Sequence, residues 1–288
     1  AYLREHYPAQ FIAAVVSNQG GYYSAFAYLS EGRRMGLTIL PPDINASVWV
    51  YTGSGTIVRV GLMQIKGVQE DLVTQIVVER ETNGPYRSLS EFLSRVKLDY
   101  AQAKLLIKAG CFDSIAGELT RPALLWRVFA AQAAKPPSSI PIPTEYSAQK
   151  KLQHELALFG FPLHCHPLDL FTELLAATTH IFAKDLNQYV GKEVTLIGWL
   201  LTEKIVSTKK GEPMEFMTLE DQTGMYDATV FPTTYRHYCH LLATNQAYVV
   251  TGLVEEHFST VTVTVKTLQL LTTGGIPAPS EPLEELSV

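Results

Sequence analysis

Cysteine, excess basic charge and long apolar runs are all scarce in this chain, and each shortage excludes a class of protein. Only three cysteines occur in 288 residues, Cys111, Cys165 and Cys239, odd in number and far apart. That argues against a disulfide framework and for a reducing compartment. No apolar run approaches the roughly 18 residues that a membrane-spanning helix needs, and the N-terminus has no signal-peptide pattern. The expected location is the cytoplasm, with no membrane partner. No Asp-x-Asp pair occurs anywhere, whereas two-metal phosphoryl transfer gathers carboxylates around paired Mg²⁺ ions. The chain is therefore expected to carry no catalytic residue for that chemistry and no cofactor. Two clusters, His164-Cys165-His166 and His237-Tyr238-Cys239-His240, hold groups that zinc accepts. Neither has the two-residue gap of a zinc knuckle, and adjacent ligands converge poorly on one tetrahedral ion, so no metal site is expected.

The net charge is −5, opposite in sign to most nucleic-acid-binding domains, whose affinity comes largely from phosphate neutralisation. Locally the balance differs. From Ile57 to Ala116 there are eight Lys/Arg against seven Asp/Glu, or +1; from Val190 to Leu270 there are six against nine, or −3. With 47% hydrophobic and 18% charged residues, the length suits about two folded domains with ordinary cores.

The most informative stretch runs from Gly61 to Arg80. Leu62 and Ile65 lead into Lys66-Gly67-Val68, and Leu72, Val73, Ile76 and Val77 follow at helical spacing. This is the pattern of a helix-hairpin-helix. Gly67 can take backbone angles closed to other residues, and the next helix then directs its first N–H groups at an anion. Contacts of that kind read no base edge, so binding would be independent of sequence. A plain helical hairpin in which Gly67 only ends the first helix fits the same residues. About 40 residues on, Leu105-Leu106-Ile107-Lys108-Ala109-Gly110-Cys111-Phe112-Asp113 again sets an apolar helix, a lysine and a glycine before a turn. Lys66, Gly67, Val68, Lys108 and Gly110 are the candidate contacts to double-stranded DNA.

Together with their surroundings these segments resemble the C-family DNA polymerases, the bacterial DNA polymerase III alpha subunits and their error-prone relatives. Tyr2 to Phe11, Arg34-Met35-Gly36-Leu37 and Leu40-Pro41-Pro42-Asp43-Ile44-Asn45 resemble the end of that family's fingers region. Gly160 to Leu168, with His166-Pro167, resembles the connector into the family's OB-fold, and Phe216 to Gly224 resembles its middle strands. The resemblance implies that the chain, which begins without methionine, is the C-terminal part of a much larger polymerase. Metal-binding carboxylates, and any Mg²⁺, would then lie upstream of this chain, which should be inactive alone.

The expected architecture is an α+β multidomain chain: a mostly helical N-terminal half with helix-hairpin-helix motifs, then a five-stranded OB-fold β-barrel. Residues 1–56 are read as the fingers-like end, in which Tyr22, Ala25, Phe26 and Leu29 mark a buried helical face and Trp49 to Val60 alternates as a strand. Residues 57–134 form the tandem hairpin domain, and 135–189 a proline-rich linker and connecting helices, with a helix over Ala148 to Phe159. Residues 190–271 form the OB-fold, with strands at Val194–Val206, Glu215–Asp221, Tyr226–Phe231, Ala247–Glu255 and Val261–Leu271 and a helix over Pro232–Leu242. Residues 272–288 are read as a disordered tail. OB-folds bind single strands on their middle strands, aromatics stacking on bases and loop lysines on phosphates. Phe216, Tyr226 and Phe231, with Lys209 and Lys210, are the candidates for single-stranded DNA.

Many replicative members of the resembled family carry a Gln-and-aromatic peptide that docks on the sliding clamp. That pattern is missing, and Leu156-Ala157-Leu158-Phe159 reads as core. Its absence, the short tail, Gly21-Tyr22-Tyr23 and Asn45-Ala46-Ser47 lean toward the error-prone branch. Two other readings stay open: a module docking replication or mutagenesis proteins, which the −3 balance of the barrel favours, and a stand-alone single-strand-binding protein.

Overall fold

The computed structural model describes residues 2–19, 24–132, 143–243, 246–257 and 260–271. Tyr22, most of the proline-rich linker and the whole 272–288 tail lie outside the described residues. The chain divides into two compact units, residues 1–164 and 165–288.

The first unit opens with helices α1 (Tyr2–His6), α2 (Pro8–Ser17) and α3 (Ala25–Arg34). Pro8 begins α2, where its missing N–H costs nothing. Phe26 and Leu29 of α3 are buried, as their spacing requires. A three-stranded sheet follows, built from β1 (Thr38–Leu40), β2 (Thr52–Ser54) and β3 (Ile57–Arg59), with β3 in the centre. The alternating run from Trp49 to Val60 is therefore a hairpin instead of one strand. Gly55, at φ +55°, turns the chain back between β2 and β3.

Five helices complete the unit: α4 (Glu70–Asn83), α5 (Leu89–Arg95), α6 (Tyr100–Lys108), α7 (Arg121–Gln132) and α8 (Ala148–Phe159). Four begin where a side-chain oxygen accepts from an otherwise unpaired N–H: Ser88 from Glu91, Asp99 from Gln102, Thr120 from Ala123 and Ser147 from Lys150. The core is held by Phe92, fully buried between the edges of Tyr86 and Phe112, each ring centroid 4.9 Å away. Each such edge-on pair adds about 1 kcal/mol to the area it buries. Helix α8 has the bounds its sequence suggests, but it packs with the first unit and is no free connector. Leu158 and Phe159 are buried, and the Leu158 carbonyl accepts from the Lys66 N–H at 2.9 Å.

The second unit contains α9 (Thr172–Ala177) and a closed five-stranded barrel of β4 (Glu193–Ser207), β5 (Pro213–Glu220), β6 (Met225–Val230), β7 (Ala247–His257) and β8 (Thr260–Leu270), in the order β4-β5-β6-β8-β7. The five strands fall where the alternation places them. Helix α10 (Pro232–Tyr238) and a 3-10 turn to Leu241 lie between β6 and β7. Closure pairs β6 with β8 in parallel, so no sheet edge is left open. The turn between β5 and β6 is tied by Asp221, whose carboxylate accepts from Thr223 N, Gly224 N and, across the unit, Ala183 N. That is the physical content of the Glu220-Asp221-Gln222-Thr223-Gly224 motif.

Candidate nucleic-acid interface

At the first hairpin the element before Lys66 is a single 3-10 turn, Leu62–Gln64, in place of an α-helix. Leu62 and Ile65 are buried beneath it and anchor the turn. Gly67 has φ +86°, so the backbone angle that the sequence suggested is in use. Lys66 and Gly67 are exposed, whereas Val68 is 92% buried (8% exposed) and serves as an apolar anchor. Two of the backbone N–H groups are committed: Lys66 donates to Leu158 O and Val68 to Ile65 O. Helix α4 starts with Glu70 and Asp71 in its first turn. These carboxylates complement the helix dipole and weaken its attraction for a phosphate. The anion-attracting feature of this turn is thus mainly the Lys66 ammonium.

The second hairpin departs from expectation. Gly110, at φ +85°, terminates α6: its N–H donates to Ile107 O and that of Cys111 to Leu106 O, the Schellman pattern. Helix α7 starts only at Arg121, so no helix N-terminus faces outward just after Gly110. Gly110 is buried, and the Arg121 guanidinium, itself 2% exposed, lies where a Cβ on Gly110 would stand. Arg121 donates to Lys108 O and to both Asp113 carboxylate oxygens. Gly110 cannot touch DNA, because a structural arginine covers it. Lys108 is half-buried; burial, then the charges of Lys104 and Lys150, push its amine pKa down.

The fold joins the two regions through α6. Gln102 Nε2 donates to Gly67 O at 3.0 Å, and a Cβ on Gly67 would lie 3.1 Å from Leu105. It also packs α6 on α8, so that Lys104, Lys108 and Lys150 act electrostatically on His154. Sequence reading missed Lys104, Lys150 and His154. The i, i+4 spacing of Lys104 and Lys108 on one helix could have shown the first; nothing local places α8 beside α6.

In the barrel, Phe216 and Phe231 are exposed, at 47% and 45%, while Tyr226 is 3% exposed. Tyr226 is withdrawn as a stacking residue: on β6, Met225 and Asp227 take the outward positions and Tyr226 points into the core, its hydroxyl buried without a hydrogen-bond partner. It fills the space left by Gly198, where any Cβ would collide with the ring. Phe216 stands between Lys204 of β4 and Thr229 of β6 on the outer face, and Lys204 is a cation that sequence reading passed over. Lys209 and Lys210 are exposed on the β4–β5 turn, closed by Thr208 N to Glu212 O at 2.8 Å. The same face also carries Asp227, which accepts from Thr218. Glu215 is 1% exposed, and its pKa is raised to about 7 by burial and then by Glu203.

The histidine clusters have structural partners. His164 Nδ1 meets Glu155, and His166 caps the turn at Pro167 by accepting from Leu168 N while its own N–H donates to Asp169. No group of three or more His, Cys, Asp or Glu that could hold a metal occurs among the described residues. No helix among them is long and apolar enough to cross a membrane.

Two family models match: a helix-hairpin-helix motif over residues 36–123 and an OB-fold nucleic acid binding domain over residues 194–271. The error-prone DNA polymerase of Symbiobacterium thermophilum is 28% identical, over 95% of this chain and 30% of that protein. The DNA polymerase III subunit alpha of Saccharopolyspora erythraea is 29% identical over 91% and 25%, and that of Treponema pallidum 30% identical over 83% and 23%. Among solved structures, asparaginyl-tRNA synthetase from Pyrococcus horikoshii aligns with 32% of the chain and 22% of its own, at 21% identity and a TM-score of 0.27, a likeness too slight to carry an argument. The chain spans between about a fifth and a third of the length of the curated relatives it matches. Over nearly all of its own length, then, this chain is a homologue of bacterial DNA polymerase III alpha subunits and error-prone DNA polymerases, and it joins a helix-hairpin-helix motif to an OB-fold.

Proposed function

We propose that this chain is the DNA-handling C-terminal part of a C-family polymerase, holding duplex through its hairpin unit and single-stranded template through its barrel. The observation that carries the reading is the exposed Lys66-Gly67 turn, set at positive φ within the segment matched by the helix-hairpin-helix model. Lys66 supplies a point charge to a backbone phosphate and no base edge is read, so binding is independent of sequence. Lys209, Lys210 and Lys204 serve phosphates of a single strand, with Phe216 and Phe231 stacking on its bases. Nucleotidyl transfer, with the Mg²⁺ and carboxylates it needs, belongs to the rest of such a polymerase, working in the cytoplasm in replication or error-prone synthesis. Polymerase activity is not assigned to this chain alone.

Fluorescence anisotropy with labelled duplex and single-stranded oligonucleotides, titrated across salt, tests this. Lys66→Glu should weaken duplex binding at low salt by about tenfold and reduce the salt slope by about one. Unchanged duplex affinity in that variant would sink the hairpin reading. A second reading, that the barrel docks a replication protein such as the sliding clamp, is favoured by its −3 charge balance and by Asp227 beside Phe216. If the oligonucleotides bind to neither unit even at low salt, that reading takes over.

A further inference from the structure

His154 lies on α8 and is 6% exposed, yet its Nδ1 has no hydrogen-bond partner. A buried ring nitrogen normally has one, because leaving it unpaired costs about 1–3 kcal/mol. Tyr146 packs edge-on against the ring, centroids 4.8 Å apart, and is itself only half-buried. The charges that act on His154 are Lys108, Lys150, Arg121 and Lys104, all positive.

The carboxylates nearby are engaged elsewhere. Asp113 pairs with Arg121, Glu145 with Lys151 and the Arg121 N–H, and Glu155 with His164 and the Leu163 N–H. Lys150 donates to Gln153 Oε1 at 3.3 Å. No ion pair joins Lys104, Lys108 or Lys150 to a carboxylate among the described residues. Helices α6 and α8 pack together, and their three lysines thus act on a buried imidazole with no carboxylate paired to them, an arrangement that an anion would relieve.

We propose that the seam between α6 and α8, which carries Lys104, Lys108 and Lys150 together with the unpartnered His154, is a phosphate-binding subsite that takes a backbone phosphodiester of duplex DNA. It rests on the reading of the first unit as duplex-binding and extends it to α8, which lies beyond the segment matched by the helix-hairpin-helix model. The lysines supply charge to the phosphate oxygens. Neutral His154 supplies an Nδ1–H donor once the Tyr146 edge yields, and an anion there stabilises its protonated form. Burial and the neighbouring lysines hold the His154 pKa down at about 4 without an anion. Binding therefore takes up a proton, and duplex affinity rises as pH falls toward the free value of about 4.

The test follows the His154 imidazole by NMR across pH in the full chain, alone, with a 12-base-pair duplex lacking terminal phosphates, and with inorganic phosphate. The duplex should raise the His154 titration midpoint by about one unit or more. Lys104→Gln with Lys150→Gln should weaken duplex binding about tenfold and lower the salt slope by about two. Both are surface-directed charge removals that leave the core intact, and the circular dichroism spectrum checks this. A shift with millimolar phosphate but none with duplex would overturn the backbone assignment in favour of a free anion. Duplex binding that Lys66→Glu weakens, while His154 and the Lys104/Lys150 variant behave as without DNA, would overturn the subsite and leave the duplex-binding reading standing. If duplex does not bind at all, that reading falls, and the response of His154 to phosphate alone decides whether the seam is an anion site.

Discussion

At the residue scale, exposure separates the candidate contacts from their neighbours in sequence. Lys66 and Phe216 are available; Gly110 and Tyr226 are not. Tyr226 carries a buried hydroxyl with no partner, whereas Phe216 projects outward from β5. Tyr226→Phe should leave single-strand binding unchanged and leave stability equal or slightly higher, since an unpaired buried hydroxyl is removed. Phe216→Ala should leave stability almost unchanged and weaken single-strand binding by about tenfold, the value of one stacked base. Anisotropy and thermal denaturation of the two variants read both effects. The opposite ranking would reverse the face of β6 that is assigned to DNA. Strand alternation held the information about Tyr226, because Leu219, Tyr226 and Ala228 belong to one inward set, but deciding which of the two sets faces inward needs the closed barrel.

At the element scale, two glycines of similar sequence context have different tasks. Gly67 turns an exposed loop, while Gly110 closes α6 beneath the Arg121 guanidinium. Both have positive φ, so alanine at either position should cost about 1–2 kcal/mol in backbone strain alone. Gly110→Ala should cost more, about 3 kcal/mol or above, because the new methyl displaces an arginine that is paired with Asp113 and buried. Urea unfolding of the two variants checks the order. Equal losses would show that Arg121 can move aside freely. The bounds of α8 were legible from the sequence, whereas the caps at Ser88, Asp99 and Ser147 emerged with the structure. The 3-10 turn at Leu62–Gln64 was not, because Leu62 and Ile65 sit three apart in either kind of turn.

At the scale of the whole molecule, the two units respond to pH in opposite directions. Glu215 in the barrel has a folded pKa near 7, above its ordinary 4.5, so the stability tied to it is full below 4.5 and is lost as pH rises through 7. His154 in the first unit has a folded pKa near 4, below its ordinary 6.5, so its contribution is full above 6.5 and is lost as pH falls toward 4. Each is worth on the order of 3 kcal/mol at most. Hydrogen exchange by peptide should show residues 193–270 becoming less protected between pH 5 and 8, while α6 and α8 become more protected. Glu215→Gln should flatten the first trend and leave the second. Protection that moves in parallel in both units would contradict this assignment.

What the sequence by itself determined is the kind and order of the elements. Apolar periodicity, capping residues and turn glycines are local, and they mark the barrel strands and α8 to within a few residues. Motif order added the likeness to the polymerases, since the Lys66-Gly67-Val68 turn and the Phe216–Gly224 segment occur in that family's order. Only the tertiary structure decided which of those residues reach the surface and which distant ones meet. Gly110 is covered by an arginine eleven positions on, Tyr226 is drawn inward by closure of the barrel, and Lys150 and His154 join Lys104 and Lys108 because α8 packs on α6. The physical reason is that helix and strand formation depend on neighbours along the chain, whereas burial and electrostatic company depend on neighbours in space.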